Sequence, residues 1–205
     1  MYKKMLEQRK QPLLIVISGP SGVGKDSVIE RMKERGLPFH FVVTTTSRTQ
    51  RSDEVEGMDY FFVTKEAFEG MIERDEFFEY ATVYHDYKGI PKKRIREALA
   101  GGQDVVMRLD VQGAETVRYR SPEAVLVFLS TSDEEELRQR LQRRQTDTPE
   151  SLRIRIETAR HEFGKIDLFD YYVVNAEGKL DEAVDTILAI IKAEHHRTHS
   201  RKVTL

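Results

Sequence analysis

A glycine-rich segment near the N-terminus constrains the fold of this chain more than any other feature. The pattern G-x-x-x-x-G-K is met by Gly19-Pro20-Ser21-Gly22-Val23-Gly24-Lys25. The segment lies between an apolar run at residues 13–18 and a segment whose apolar residues recur at helical spacing. In that context backbone N–H groups, a helix N-terminus and a lysine converge on one anion. We therefore predict a phosphate-binding loop between the first strand and the first helix.

Three further runs, rich in β-branched residues, have the length of strands. They span residues 104–109, 124–129 and 171–174, and each is followed by a polar segment with helical periodicity. Fully apolar strands that alternate with helices are typical of a parallel sheet covered on both faces. The predicted fold class is therefore α/β, with a phosphate-binding loop (P-loop) after the first strand of a parallel sheet.

The pattern changes between residues 39 and 90. Three strand-like runs alternate in polarity around one helix that Thr64 can cap; they span residues 41–45, 60–63 and 77–83. This change predicts an inserted subdomain with a mixed β-sheet. We interpret this insertion as a substrate-binding subdomain.

The 205 residues suffice for one sizeable core but not for two complete domains. We predict a single domain at 12–197, with tails at 1–11 and 198–205. Its parts are a core at 12–38 and 91–197, the insertion at 39–90 and a short lid at about 140–150. The residues from His195 onward are polar, so we expect this end of the chain to be frayed.

Two helix starts flank the predicted lid. Ser132 with Glu135 matches a capping box, and Thr148-Pro149 supplies an N-cap followed by a proline at the first helical position. The arginine-rich stretch between the two helices is predicted to be a mobile hairpin.

The bulk composition excludes several classes of function. Lys and Arg total 33 against 35 for Asp and Glu, so the net charge of −2 gives no basic field for nucleic acid. The absence of cysteine excludes disulfides and thiol nucleophiles, and it fits a reducing compartment. No apolar run is long enough for a membrane helix, and residues 1–11 do not resemble a secretory signal. We expect a cytoplasmic protein that contacts neither nucleic acid nor membrane.

One position departs from the usual form of the phosphate loop. The residue after Lys25 is Asp26, where a serine or threonine normally ligates magnesium, and Ser27 follows. Asp26 can bind the metal directly, bind it through water, or leave the role to Ser27. The sequence leaves these alternatives open.

A second set of motifs follows the loop. Its three groups are Arg48-Thr49-Gln50-Arg51, Gly57-Met58-Asp59-Tyr60 and Asp110-Val111-Gln112-Gly113. The patterns R-T-x-R, G-x-D-Y and D-x-Q-G follow G-P-S-G-x-G-K in the order, and at about the spacing, found in guanylate kinases. Over roughly residues 14–191 the chain therefore resembles this family of P-loop nucleoside monophosphate kinases.

The resemblance implies transfer of the γ-phosphoryl group of ATP to GMP, giving ADP and GDP in purine metabolism, with Mg²⁺ accompanying ATP. ATP is then expected on residues 19–25, Asp26 and Ser27. The GMP phosphate is expected on Arg48, Arg51 and Tyr60, and the guanine on Thr44, Glu79 and Asp110. Arginine donors match phosphate oxygens, and the Glu79 carboxylate can accept from guanine N1–H and N2–H, a donor pair that adenine lacks.

The segment Tyr87-Lys88-Gly89-Ile90-Pro91 departs from the family pattern of tyrosine, glycine and a hydroxyl residue. Lys88 can replace the tyrosine as a phosphate ligand, or Tyr87 can reach in from the preceding position. Ile90 cannot donate a hydroxyl hydrogen bond to guanine. The combination of G-K-D with Y-K-G-I-P resembles an organellar and related bacterial branch of the family.

The resemblance also extends to the donor side of the reaction. The arginine-rich stretch from residue 140 resembles the lid that closes over ATP, with Arg140, Arg144 and Arg155 as transition-state contacts. Asn175, at the end of the last strand, is implied to contact the ATP adenine.

Two other functions stay open as alternatives. A ribose bisphosphate kinase of the same fold is compatible with the G-K-D loop, although Arg48, Arg51, Tyr60 and Glu79 argue against it. A non-catalytic guanylate-kinase-like module would use the same arginines without turnover, and the retained Lys25 argues against that. The protein is expected to be a monomer or a homodimer.

Overall fold

The computed structural model describes residues 11–52, 54–83, 86–143 and 149–205. Within these ranges the strands are β1 (Leu14–Ser18), β2 (His40–Phe41), β3 (Thr44–Thr46), β4 (Tyr60–Phe62), β5 (Phe77–Val83), β6 (Asp86–Pro91), β7 (Val105–Arg108), β8 (Val125–Ser130) and β9 (Tyr171–Val174). The helices are α1 (Lys25–Glu34), α2 (Lys65–Glu73), α3 (Lys92–Ala100), α4 (Val111–Arg120), α5 (Glu134–Gln142), α6 (Pro149–Phe163) and α7 (Leu180–Glu194).

The larger sheet has five parallel strands in the order β2-β7-β1-β8-β9. Every residue of β1 and β8 is buried, as expected for central strands covered on both faces. Side chains of alternate β1 residues pack into two different hydrophobic cores, one on each face of the sheet. Ile15 and Ile17 pack in the core that contains Ile187 of α7, whereas Leu14 and Val16 pack in the core that contains Ile95 of α3. This arrangement confirms the predicted α/β fold.

The smaller sheet has four strands in the order β4-β3-β6-β5. It is mixed, because β3 pairs with β4 in parallel, whereas β6 pairs with both β3 and β5 in antiparallel. The predicted strand at 41–45 is wrong as a single element, since β2 joins the larger sheet and β3 the smaller one. Strand β6 was not predicted, because it contains Gly89 and Pro91, two residues that weaken a strand signal.

Helix starts follow the sequence with one correction. Thr64 caps α2 as predicted, accepting a hydrogen bond from Ala67 N–H at 3.1 Å. The capping box of α5 lies one residue later than predicted. Asp133, not Ser132, is the N-cap and accepts from Glu136 N–H at 2.8 Å, and Glu136 accepts from Ser132 N–H at 3.0 Å. Helix α6 begins at Pro149, and Thr148 lies outside the described residues.

The C-terminal end is packed rather than frayed, so that expectation was wrong. Arg201 is only 9% exposed and donates to the Glu194 carboxylate at 2.8 Å. Val203 and Leu205 pack against the core that lies beneath α3. Two apolar residues and one buried ion pair therefore hold this segment against the domain. No helix in the described ranges combines the length and apolarity needed to cross a bilayer.

Candidate active site

The phosphate loop connects β1 to α1, as predicted. Gly19, Gly22 and Gly24 have φ angles of 141°, 92° and 91°, a region that side chains with a Cβ rarely adopt. Lys25 bends back over the loop, and its Nζ donates to the carbonyl oxygens of Gly19 at 2.6 Å and Pro20 at 2.9 Å. Two carbonyl oxygens thus keep a cation at the loop, which suits the binding of an anion there.

The loop is packed tightly against the carboxyl ends of β8 and β9. A Cβ added to Gly19 would lie 2.2 Å from the carbonyl oxygen of Leu129 in β8. A Cβ on Gly24 would lie 2.4 Å from Asn175 Nδ2, just after β9. The glycines are therefore required both by backbone conformation and by close approach to neighbouring strands.

We expect Gly19→Ala to lower the free energy of unfolding by about 2–5 kcal/mol. This range sums about 1–2 kcal/mol for the left-handed backbone and about 1–3 kcal/mol for overpacking against Leu129. The matched control is Gly178→Ala, because Gly178 has φ 71° but no atom within 4 Å of an added Cβ. In that control the free energy of unfolding should fall only by the backbone contribution, about 1–2 kcal/mol. Equal losses in urea unfolding would show that the packing at Gly19 does not matter.

One face of the smaller sheet carries most of the residues predicted to contact GMP. Side chains on a strand alternate between faces, and directly paired residues share a face. Thr44 pairs with Tyr60, Thr46 with Lys88, and Lys88 with Ala81. Thr44 and Glu79 each lie two residues from a member of this set, so they belong to the same face. Thr44, Tyr60, Glu79 and Lys88 therefore point toward one space.

That space is a cavity of about 270 Å³, called here the Glu79 cavity. Its lining residues are Lys25, Thr44, Tyr60, Glu79, Ala81, Lys88, Gly89, Ile90, Arg108, Leu109 and Asp110. A second cavity of about 280 Å³, the Asp26 cavity, shares Thr44, Tyr60 and Arg108 with it and also contains Glu54. The structure therefore brings Lys25 of the phosphate loop and Glu79 of the insertion to the walls of one cavity.

The Glu79 carboxyl is in an environment that opposes its charge. Burial, followed by repulsion from Asp110, raises the pKa of Glu79 to about 7, and Arg120 offsets part of this rise. Asp110 is the N-cap of α4 and accepts from Gly113 N–H at 2.7 Å. A Cβ on Gly113 would lie 3.4 Å from Glu79 Oε1, so this glycine lets the two carboxyl groups lie close to α4. A ligand that donates hydrogen bonds would stabilise the ionised form of Glu79.

Arg48 is held by a carboxylate and two aromatic rings. Its guanidinium donates to both oxygens of Glu54, at 2.5 and 2.9 Å, and lies over the rings of Tyr60 at 5.3 Å and Phe62 at 5.7 Å. These hydrogen bonds, together with the one from Arg51 N–H at 2.9 Å, lower the pKa of Glu54 to about 2. The Arg51 side chain itself is exposed. Arg48 is therefore oriented in advance, whereas Arg51 is not enclosed by the sheet.

Two of the residues predicted for the donor side, Arg140 and Asn175, contact the phosphate loop directly. Arg140 of α5 donates to the carbonyl oxygens of Val23 at 3.3 Å and Asn175 at 2.7 Å, and it pairs with Glu136. Asn175 is buried, and its Nδ2 donates to Val23 O at 2.9 Å. Arg155 is half-buried on α6, and Arg144 lies outside the described residues. Arg140 and Asn175 thus support the same carbonyl of the phosphate loop.

The two candidate magnesium ligands begin α1. The Asp26 carboxylate is 67% exposed and paired with Arg108, and Ser27 is exposed. In the part of the chain that the structure describes, no three His, Asp or Glu side chains are grouped so as to hold a metal ion. Mg²⁺ in kinases takes one or two protein oxygens and completes its shell with phosphates and water. The donor set therefore fits an ion that arrives with ATP, not one caged by protein alone.

Three residues at the candidate site were not predicted from the sequence. Arg108 lies in the wall of both cavities, and Glu54 pairs with Arg48. Glu162 of α6 interacts electrostatically with Lys25. Burial raises the pKa of Glu162. A charge at the end of an otherwise apolar run was a usable signal for Arg108. Glu54 and Glu162 had no comparable signal, because both lie in charge-rich segments.

Comparison with known proteins agrees with this geometry. The sequence profile described as Guanylate kinase matches residues 11–194. "Guanylate kinase 2, chloroplastic/mitochondrial" of Oryza sativa subsp. japonica is 52% identical over 196 residues, covering 95% of this chain and 69% of the rice protein. "Guanylate kinase" of Halalkalibacterium halodurans is 40% identical over 188 residues, covering 92% of this chain and 91% of that protein.

A solved structure supports the same relationship. The crystal structure of guanylate kinase from Anaplasma phagocytophilum superposes with a TM-score of 0.70 at 28% sequence identity. The alignment covers 92% of this chain and 89% of the other. The similarity therefore includes the smaller sheet as well as the larger one.

Proposed function

The chain belongs to the guanylate kinase family and is an ATP:GMP phosphotransferase, and from this premise we propose which residues bind ATP and which bind GMP. The observation that carries the proposal is the Glu79 cavity, whose walls include Glu79, Asp110, Tyr60 and Lys25. GMP occupies this cavity, with its base toward the two carboxyl groups and its phosphate toward the loop lysine.

Glu79 selects the base of the acceptor. Its carboxylate accepts hydrogen bonds from guanine N1–H and N2–H, and those bonds compensate the burial that raises its pKa. Thr44 and Asp110 line the same cavity and orient the base. Adenine offers no such donor pair, so AMP would leave a half-buried carboxylate unpaired.

Arg48, Arg51, Tyr60 and Lys88 hold the GMP phosphate. The Lys88 ammonium lies 5.1 Å from the centre of the Tyr60 ring and 3.4 Å from its hydroxyl oxygen, so the two groups act at one place. Lys88 thereby takes the phosphate-binding role of the tyrosine that the family pattern has at this position. Together these groups neutralise repulsion between the acceptor phosphate and ATP.

ATP binds on residues 19–25, whose backbone N–H groups and α1 N-terminus face its phosphates. The Asn175 side-chain oxygen is left as an acceptor for the adenine amine, because its Nδ2 donates to Val23. Arg140, Arg144 and Arg155 neutralise charge on the phosphoryl group in transit. Lys25 contacts the β and γ oxygens, which requires it to exchange its bonds to Gly19 and Pro20.

The nucleoside monophosphate kinases are typically Mg-ATP dependent, and Asp26 or Ser27 would hold the ion at the start of α1. When bound, Mg²⁺ neutralises charge on the β and γ phosphate oxygens. Lys25 and the lid arginines hold the γ-phosphoryl group in line with the GMP phosphate oxygen that attacks it. Catalysis thus rests on positioning and electrostatic stabilisation rather than on a covalent intermediate.

A coupled assay of ADP release tests the assignment of the Glu79 cavity. We expect rapid turnover of Mg-ATP with GMP, little with AMP, and negligible ATP hydrolysis without an acceptor, because the site closes and brings its catalytic groups together only when both substrates are bound. Turnover with ribose 1,5-bisphosphate instead of GMP would assign the cavity to a sugar phosphate. Absence of turnover with either acceptor would support a binding module.

GMP affinity should follow the ionisation of Glu79. With a pKa of about 7 in the free protein, the ionised fraction rises from about a tenth at pH 6 to about nine tenths at pH 8. The dissociation constant for GMP should therefore fall about tenfold over this range. The GMP phosphate titrates near pH 6 as well, so the control is Glu79→Gln, which keeps that titration. A wild-type profile identical to that of Glu79→Gln would contradict the role of Glu79.

Location and assembly are also proposals. A cytoplasmic location rests on the cysteine-free sequence, whereas the rice relative is named chloroplastic/mitochondrial; fractionation of the source cells decides between the two. We propose that the protein is a monomer or homodimer, which light scattering on a sizing column distinguishes.

A further inference from the structure

Arg108 lies where the phosphate loop meets the insertion. It ends β7 beside Ile17 of β1, and Leu109 N–H donates to Ile17 O at 3.2 Å. The three preceding residues of β7 are buried, whereas the Arg108 side chain is 42% exposed. A cation thus follows a buried strand at the carboxyl edge of a parallel sheet, which is where α/β proteins bind ligands.

The partner of Arg108 is the unusual residue of the loop. Its guanidinium pairs with the carboxylate of Asp26, the residue after Lys25. Asp26 is 67% exposed, and an ion pair this exposed contributes little to stability. A carboxylate beside Lys25 would repel the phosphates of both substrates if no cation neutralised it. Arg108 supplies that cation, and a stronger anion can displace the carboxylate.

The position of Arg108 between the two cavities indicates which anion this is. Arg108, Thr44 and Tyr60 line both the Glu79 cavity and the Asp26 cavity. Tyr60 is a proposed ligand of the GMP phosphate, and Lys25 a proposed ligand of the ATP phosphates. A guanidinium in a wall that also contains Tyr60 and Lys25 is placed to bind the acceptor phosphate.

We propose that Arg108 binds the phosphate of GMP, and that Asp26 occupies the guanidinium while this phosphate is absent. The inference rests on the proposed function, because it takes the Glu79 cavity to be the GMP site. Exchange of a carboxylate for a phosphate keeps the guanidinium paired in both states, and the phosphate dianion is the stronger partner for its forked donors. In GMP binding, Asp26 is a positioning residue that acts through Arg108.

Calorimetric titration of GMP without ATP or Mg²⁺ tests the proposal, because neither metal nor turnover contributes. Arg108→Gln should weaken GMP binding by about 10- to 100-fold, the range for a charge-assisted hydrogen bond. Binding of guanosine, which lacks the phosphate, should not change. Asp26→Asn should tighten GMP binding by about two- to fivefold, because the competing carboxylate is gone.

The double variant separates direct binding from mere neutralisation of Asp26. If Arg108 contacts the phosphate, Asp26→Asn/Arg108→Gln stays about tenfold or more weaker than Asp26→Asn alone. If Arg108 only neutralises Asp26, the double variant regains wild-type affinity, and the proposal is overturned. Should Arg108→Gln fail to fold, Arg108→Lys takes its place, with a several-fold loss for GMP and none for guanosine expected.

Two further results separate this inference from the proposed function. Folded wild-type protein that does not bind GMP would refute the assignment of the cavity and, with it, the inference. If wild type binds GMP and Arg108→Gln binds it equally tightly, the role of Arg108 is refuted, whereas the assignment of the cavity to GMP stands.

Discussion

Replacing Lys25 with alanine is expected to lower kcat for GMP phosphorylation by about 10³-fold, the scale for loss of one cation at a phosphoryl-transfer site. The Lys25 ammonium group is the cation that the phosphate loop contributes to the wall of the Glu79 cavity. Its Nζ also donates to Gly19 O and Pro20 O, so its removal loosens the loop and raises the KM for ATP. Steady-state kinetics with Mg-ATP and GMP measure both effects.

Two controls separate chemistry from folding in this experiment. Lys192→Ala removes an exposed lysine of α7 and should leave kcat unchanged. The dissociation constant for GMP, measured without ATP, should rise far less than kcat falls, by about tenfold at most, because Arg48, Tyr60 and Lys88 still hold the GMP phosphate. Turnover of Lys25→Ala within tenfold of wild type would show that the lysine does not act on the transferred group.

Much of the fold was predictable because its signals are local. Residues 13–17 are all apolar, and Ser18 is followed directly by the loop with its three glycines. A strand, a loop and a helix could therefore be placed from one segment. The change from continuous apolar runs to alternating ones marked the smaller sheet as a separate layer. Thr64 identified the start of α2, because an N-cap is a property of adjacent residues.

The parts that the sequence did not reveal depend on contacts between distant residues. The pairing of Arg108 with Asp26 requires β7 to lie beside β1, and neither residue signals the other in the sequence. The packing of Arg201 likewise depends on tertiary structure, because its guanidinium also donates to the distant Ala124 O at 3.4 Å. Strand β6 was missed since its pairing with β3 and β5 offsets the low strand propensity of Gly89 and Pro91.

Replacing Glu79 with alanine is expected to lower the preference for GMP over AMP, as the ratio of kcat/KM values, by about 10³-fold. A site built to hydrogen-bond its substrate rejects an analogue that lacks the donors by about 10⁴–10⁵-fold, since its own polar groups are left unpaired. Glu79 supplies most of that penalty, because its carboxylate is half-buried and its pKa is already raised to about 7. Asp110 remains in the cavity and retains part of the discrimination.

The ratio should fall mainly because GMP becomes a poorer substrate, while AMP stays equal or improves slightly. Glu79→Gln should give an intermediate ratio, since its amide oxygen can still accept one of the two hydrogen bonds. The matched control is Glu76→Ala, which removes a carboxylate that is paired with Arg74 and lines neither the Glu79 cavity nor the Asp26 cavity; it should keep the wild-type ratio. If Glu79→Ala discriminated between GMP and AMP as well as wild type does, guanine selection would have to reside in Asp110 and Thr44.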